Sequence, residues 1–330
     1  MLLAGDIGGT KTRLGVFSPD SGARLPLAED TFPSADFPSL EAVITKFLSA
    51  ACLEVKQACF GVAGPVIKNH AKITNLNWEI NAPDLQSRFN LSRVHLLNDM
   101  VSMAAAVPWL DEGDLHTLIP GTHETGGTIA LIAPGTGLGE SYLTWDGNRY
   151  HPYGSEGGHS DFAPSNKLEI KLLQFLRKKY KHVSCERVCS GSGIPNIYAF
   201  FKDSKSAEEP SWLAERLAKT DDATPVIARA ALDETKPCEI CRLTMDTFIS
   251  ILGAEAGNLA LKVLSTGGVF LGGGIPSRIL PALDNERFRK AFLGKGRMKR
   301  ILKQIPVNVI TNRKVALFGA AYFGLERWKA

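Results

Sequence analysis

The chain has 330 residues, 44% of them hydrophobic and 22% charged, with a formal net charge of +4. That length allows two domains and a large buried core, and the composition is that of a globular chain rather than a disordered or disulfide-built one. So small a charge, carried by scattered Lys and Arg, argues against a nucleic-acid partner, and no run nears the roughly 18 apolar residues of a membrane span.

The predicted elements alternate between strand and helix. Leu2–Ile7 and Arg13–Phe17 read as extended runs on either side of the turn Gly8-Gly9-Thr10. Ser39 is an N-cap candidate for a helix with Leu40, Val43, Ile44, Phe47 and Leu48 on one face. Gln57–Val62 reads as a strand, and Pro83 suits the first turn of a helix with Leu85 and Phe89 inward. Val94–Leu97 is a buried strand running into Asn98-Asp99, followed by a helix over Met100–Val107.

A second such unit begins near Thr128. Thr128–Ala133 reads as a strand, Pro134–Gly139 as a second glycine turn and Ser141–Trp145 as a further strand. Asp146-Gly147-Asn148 is a turn. Asn166 with Glu169 resembles a capping box opening a helix that carries Leu168, Leu172, Leu173 and Leu176. Helices are expected from Thr224-Pro225 and over Glu239–Leu264, with a surface loop at Lys202–Pro210. Gly268–Leu271 and Val307–Ile310 read as strands, and Val315–Trp328 as a terminal helix. The six cysteines, including the pairs Cys185/Cys189 and Cys238/Cys241, form no disulfide framework and read as reduced, structural thiols. The Lys295–Lys303 stretch reads as a solvated surface.

The glycine turns carry the first chemical signal. A turn of this kind aims backbone N–H groups and a Thr hydroxyl at one point, which suits phosphate oxygens. Neither matches a common nucleotide motif. In the first, Thr10 stands between Gly9 and Lys11, so Walker A spacing fails. The second is Gly135-x-Gly137-x-Gly139 and runs into a strand, so the Rossmann fingerprint fails too. Each alone is as well read as a ligand-free hairpin. Together, with Asp6 ending the first strand, they point to two clamps on one nucleotide, and Asp6 is a candidate Mg²⁺ ligand, directly or through water. Gly272-Gly273-Gly274 also ends a strand and allows close approach of a flat ring to the backbone.

The second signal is a set of polar side chains. Asn98-Asp99 stands at the carboxyl end of a strand, where ligands of open α/β sheets bind. Asp99 there is placed to take a proton from a hydroxyl, and helix capping is an equal reading. Glu156 and His159 share the glycine-rich segment Gly154–His159, which suits a polyhydroxylated ligand better than a metal, since no HExxH pair is present. Glu186 lies in another glycine-rich segment. Thr74–Trp78 reads as a sugar-edge wall or, for Trp78, as core.

On these motifs the chain resembles bacterial-type glucokinases, the non-ROK group of the actin-like sugar-kinase ATPases. The matching segments are Gly5–Thr10, Gly61–Pro65, Leu96–Asp99, Gly135–Gly139, Glu156–Pro164, Glu186–Gly193 and Gly268–Ile275. Leu97-Asn98-Asp99, Ser155-Glu156-Gly157-Gly158-His159 and Glu186-Arg187-Val188-x-Ser190-Gly191 are the specific ones. The resemblance implies an α/β, two-domain actin-like (ribonuclease H-like) fold with an interdomain cleft. The small domain would be residues 1–110 plus 314–330, and the large one 111–313. It implies sugar contacts from Asn75, Asn98, Glu156, His159 and Glu186, with Asp99 as catalytic base. ATP phosphates would meet Gly8, Gly9, Thr10, Gly135, Thr136 and Gly137, with the nucleoside near Gly272–Gly274. It further implies D-glucose and ATP as substrates, Mg²⁺, a cytoplasmic homodimer and no membrane partner. The ROK group's Cys/His zinc cluster has no counterpart here. Alternatives are a kinase for mannose or an amino sugar, a catalytically silent sugar-responsive regulator, and an actin-like or chaperone ATPase.

Overall fold

A computed structural model describes residues 1–73 and 76–328. The chain divides into two compact units, one of residues 1–114, 146–154 and 312–330, the other of residues 115–145 and 155–311.

The first unit is built on a five-stranded sheet. Its strands are β1 (Leu2–Ile7), β2 (Lys11–Phe17), β3 (Ala28–Pro33), β4 (Gln57–Val62) and, after the small β5 (Val66–Ile67), β6 (His70–Ile73), β7 (Trp78–Asn81) sheet, β8 (Arg93–Asn98). The order is β3-β2-β1-β4-β8. β1 and β2 pair antiparallel, while β1, β4 and β8 run parallel. Helices α1 (Leu40–Ala51) and α2 (Ala82–Phe89) cover one face, and α3 (Asp99–Ala106) and the terminal helix α13 (Val315–Glu326) the other. Period-two alternation produces this division: Leu3 and Ile7 of β1 enter the first core, Leu2 and Ala4 the second. The cap at Ser39 forms, its side chain accepting from the Ala42 N–H. β2 begins two residues before its expected start, at Lys11.

The second unit carries β9 (Leu115–Ile119), β10 (Ile129–Pro134), β11 (Leu138–Trp145), β13 (Val269–Leu271) and β14 (Val307–Ile310). Their order is β11-β10-β13-β14-β9. β12 (Tyr150–Ser155) precedes the first helix, α4 (Lys167–Arg177). The remaining helices are α5 (Gly193–Asp203), α6 (Ser211–Leu217), α7 (Thr224–Leu232), α8 (Glu239–Val263), α9 (Gly274–Arg278), α10 (Leu280–Leu283), α11 (Glu286–Leu293) and α12 (Lys299–Leu302). α8 is apolar around most of its circumference and forms the spine of this core, buried from Ile240 to Ala260.

In α4, Leu168 faces outward, 39% exposed, because it is the second residue of the helix and the inward stripe starts at Glu169 and Leu172. One sequence expectation needs correction. Part of the expected loop at Lys202–Pro210 is helical, since α5 runs on through Asp203. All six cysteines are free thiols, five of them buried.

Candidate active site

Both glycine turns join antiparallel strands, as expected from their flanks. The first links Ile7 to its partner Thr12. Gly8 N–H donates to the Lys11 carbonyl at 3.0 Å, and Ser34 braces the turn by donating from Oγ to the Gly8 carbonyl and from its N–H to the Thr10 carbonyl. Thr10 itself is exposed, leaving its hydroxyl accessible. The second turn links Pro134 to Leu138, with Gly135 N–H donating to the Gly137 carbonyl at 2.8 Å.

The first turn stands at the carboxyl edge of the parallel strands of its unit. Asp6 is the penultimate residue of β1 and Asn98 closes β8, so Asp6 and the Asn98-Asp99 pair share that edge. Asn98 caps α3: its Oδ1 accepts from the Met100 N–H at 2.9 Å, and its Nδ2 donates to the Gly64 carbonyl at 3.0 Å. Capping and ligand binding are thus not exclusive readings here, because Asp99 occupies the first helical position, one residue inside the cap. Its Oδ1 also accepts from Met100 N–H. Burial pushes the Asp6 carboxyl up to about 6, with Arg13 opposing the shift and Asp99 adding to it.

The second unit gathers the other groups. His159 Nε2 lies 4.0 Å from Glu156 Oε2, and its Nδ1 lies 4.0 Å from Glu186 Oε1. The side chains of Glu156 and His159 are largely exposed, that of Glu186 21% exposed. Three residues separated by up to 30 positions therefore form one acid–imidazole–acid cluster. The short helical turn Gly157–His159 creates it by folding His159 back toward Glu156. Glu186 also reaches the second glycine turn, since its Oε2 accepts from the Leu138 N–H at 3.0 Å. The same segment is stitched to that turn by Gly191 N–H donating to the Gly135 carbonyl at 2.7 Å. Gly272-Gly273-Gly274 leaves β13 at the same edge. Gly273 takes φ 81° and passes beneath the Pro134 carbonyl, a backbone conformation and approach that suit only glycine.

The described residues thus bring together Glu156, His159 and Glu186 in one unit, and Asp6, the first glycine turn, Asn98 and Asp99 in the other. Asn75 lies outside the described residues, and Trp78 is core, 2% exposed. Sequence reasoning missed Glu140 and Glu255, both buried in the second unit. A Glu inside an alternating strand or a long helix reads as a solvent position, so no pattern marked them.

Oxygen donors fit Mg²⁺. Among the described residues no three His, Cys, Asp or Glu side chains gather into a ready-made cage. One carboxylate such as Asp6, supplemented by phosphate oxygens and water, is the donor set that Mg²⁺ usually takes in phosphoryl transfer. Nor is any helix among the described residues long and apolar enough to cross a membrane.

Known proteins resemble this chain along nearly its whole length. A glucokinase from Trichormus variabilis is 41% identical over 97% of this chain and 98% of its own. The crystal structure of a glucokinase from an Antarctic psychrotroph superposes with TM-score 0.83 at 32% identity, covering 98% of both chains. A ROK family glucokinase from Streptomyces griseus, solved with glucose and AMPPNP, shares the fold at TM-score 0.64 and 20% identity, over 98% of this chain and 99% of its own. The expected actin-like sugar-kinase fold is therefore the observed one. The glucokinase family model matches residues 3–326, and the chain belongs to the glucokinase family.

Proposed function

We propose that the chain transfers the γ-phosphoryl group of ATP to the 6-hydroxyl of D-glucose, with Asp99 as general base. ATP-dependent phosphorylation of a hexose follows from family membership; the residue roles rest on the geometry. The observation that carries them is Glu186. One of its carboxylate oxygens lies 4.0 Å from His159 and the other accepts from Leu138 N–H at the second glycine turn. One side chain thus connects a cluster suited to sugar hydroxyls with a turn suited to phosphate.

An alcohol is a poor nucleophile at neutral pH, so a carboxylate must accept its proton as the new P–O bond forms. Asp99 is fixed for this by its place at the start of α3 and by its bond to Met100 N–H. Asn98, Glu156, His159 and Glu186, together with Asn75, hold the sugar hydroxyls. A site built to bond a given hydroxyl rejects analogues lacking it by roughly 10⁴-fold. Gly8, Gly9, Thr10, Gly135, Thr136 and Gly137 take the phosphates through backbone N–H groups and hydroxyls, and Gly272–Gly274 the nucleoside. Asp6 holds Mg²⁺, directly or through water. The ion neutralises charge on the transferred phosphoryl group when bound.

In this reading residues 1–110 with 314–330 act as the small domain and 111–313 as the large one, in a cytoplasmic homodimer. A panel of glucose, mannose and glucosamine with ATP, ADP and polyphosphate, followed by product release, tests the assignment. Glucose with ATP should give the highest kcat/KM. Preference for another sugar, or ATP turnover that ignores sugar, would replace the reading.

A further inference from the structure

Beneath the turn that carries Glu156 and His159 lies a carboxyl group with no role in the reaction as described. Glu140 sits on β11 opposite Ile132 of β10, 1% exposed. Its Oε1 has no hydrogen-bond partner among the described residues. Its Oε2 presses against Gly157, where an added Cβ would lie only 2.0 Å away. One residue on, a Cβ at Gly158 would lie 2.1 Å from the Leu138 carbonyl. Leu138 and Glu140 are two apart on the strand, so the turn rests on the strand at both glycines. Any side chain at either position would lift it.

The surroundings of Glu140 disfavour its charged form. The titratable groups facing it are Glu255 and Lys262 of α8 and the thiol of Cys185, beside Glu186. Lys262 is already engaged, pairing with Glu255 at 3.4 Å, and Glu255 also accepts from Asn258. Among the described residues, the basic group acting on Glu140 is Lys262, which is already shared with Glu255. A buried carboxylate without a cation or donor is costly, whereas the neutral acid is tolerated.

We propose that Glu140 is a positioning residue for the Ser155–His159 turn, and that it holds the turn in place as the uncharged acid. Ionisation would put an unpaired anion next to Glu255 and against Gly157. Relieving it requires water or a cation to enter between β11 and the turn, which displaces Glu156 and His159. Burial, with Glu255 adding and Lys262 opposing, pushes the acid up to about 7, so this happens within the physiological range. The inference rests on Glu156 and His159 binding the sugar.

Glu140→Gln keeps shape and polarity but cannot ionise, and Glu140→Ala removes the support. Glucose KM, ATP KM and kcat measured from pH 6 to 8.5 test both. Apparent affinity falls with the competent fraction, so the parent's glucose KM should rise about fivefold between pH 7 and 8. ATP KM and kcat should change far less. In Glu140→Gln that rise should vanish, and Glu140→Ala should raise glucose KM at every pH. A Glu140→Gln profile that follows the parent's overturns the proposal, and so does an unchanged glucose KM in a folded Glu140→Ala. If Glu140→Ala does not fold, the Gln profile decides alone. Glu156→Gln and His159→Ala serve as controls. Unchanged glucose KM in both refutes the sugar-binding reading itself. Raised KM in both with a parental Glu140→Gln profile refutes only the role of Glu140.

Discussion

In the proposed reaction, Asp6 and Glu186 are single side chains whose charge sets the conditions for binding. Burial raises the Asp6 carboxyl to about 6, so the folded state holds a proton there that the unfolded chain has already lost. Stability from this group is therefore complete below about 3.8 and is lost as pH rises through about 6. Metal binding has the opposite requirement, since it needs the anion. We expect the Mg²⁺ concentration for half-maximal activity to climb as pH falls below 6, and Asp6→Asn to show a high Mg²⁺ requirement at every pH. A Mg²⁺ titration at pH 5.5 and 7.5 checks this, and identical requirements in parent and variant would remove Asp6 from the metal. Glu186→Gln should weaken glucose and ATP together, because both carboxylate oxygens are used. Loss of a charge-assisted bond costs about 1.5–3 kcal/mol, or roughly tenfold or more in each KM. A change in glucose KM alone would separate the residue from the phosphate turn.

Helix packing in the first unit is closest between α3 and α13. Ser102 Oγ donates to the Ala316 carbonyl at 2.8 Å, and Gly319 lies so close that a Cβ would fall 1.6 Å from the Ser102 carbonyl oxygen. Backbone rather than a movable side chain blocks the space. Gly319→Ala should thus cost about 3 kcal/mol or more, lowering Tm by roughly 6 °C or more. Thermal unfolding measures it, and a Tm within a degree of the parent would contradict the packing described. Because α3 begins at Asp99, activity should fall before unfolding does. At this scale much was legible. Ser39 and Asn166 announced helix starts through capping and Pro83 through its place in a first turn, and short apolar runs marked β1, β4 and β14. Strand β3 was not legible, since Ala28–Pro33 is a polar edge strand with only Phe32 buried. The small sheet at 66–81 and the edge strand β9 escaped for the same reason: short edge strands make few apolar contacts and leave little pattern.

For the whole molecule, two units with separate cores account for the recurrence of strand, glycine turn and strand in the sequence. Each unit presents its turn at the carboxyl edge of its parallel strands, where open α/β sheets usually bind ligands. The strand–turn–strand form of both glycine segments was legible from composition and flanks, and the place of Asn98-Asp99 from the buried strand before it. The Glu156–His159–Glu186 cluster was legible only as separate motifs. Nothing in local sequence brings Glu186 back to His159; tertiary packing does. The support under that cluster was invisible for a related reason, since Glu140 differs from a solvent-facing strand residue only in what folds over it. The central claim is that Asp99 accepts the proton of a bound glucose hydroxyl. Its most direct test is Asp99→Asn, followed by turnover with ATP and by the rise in Tm on adding glucose. At a hundred times Kd, glucose should stabilise variant and parent alike by about 2.7 kcal/mol, while turnover of the variant falls by at least about a hundredfold. Near-parental turnover, or stabilisation by glucose lost along with activity, would contradict the account.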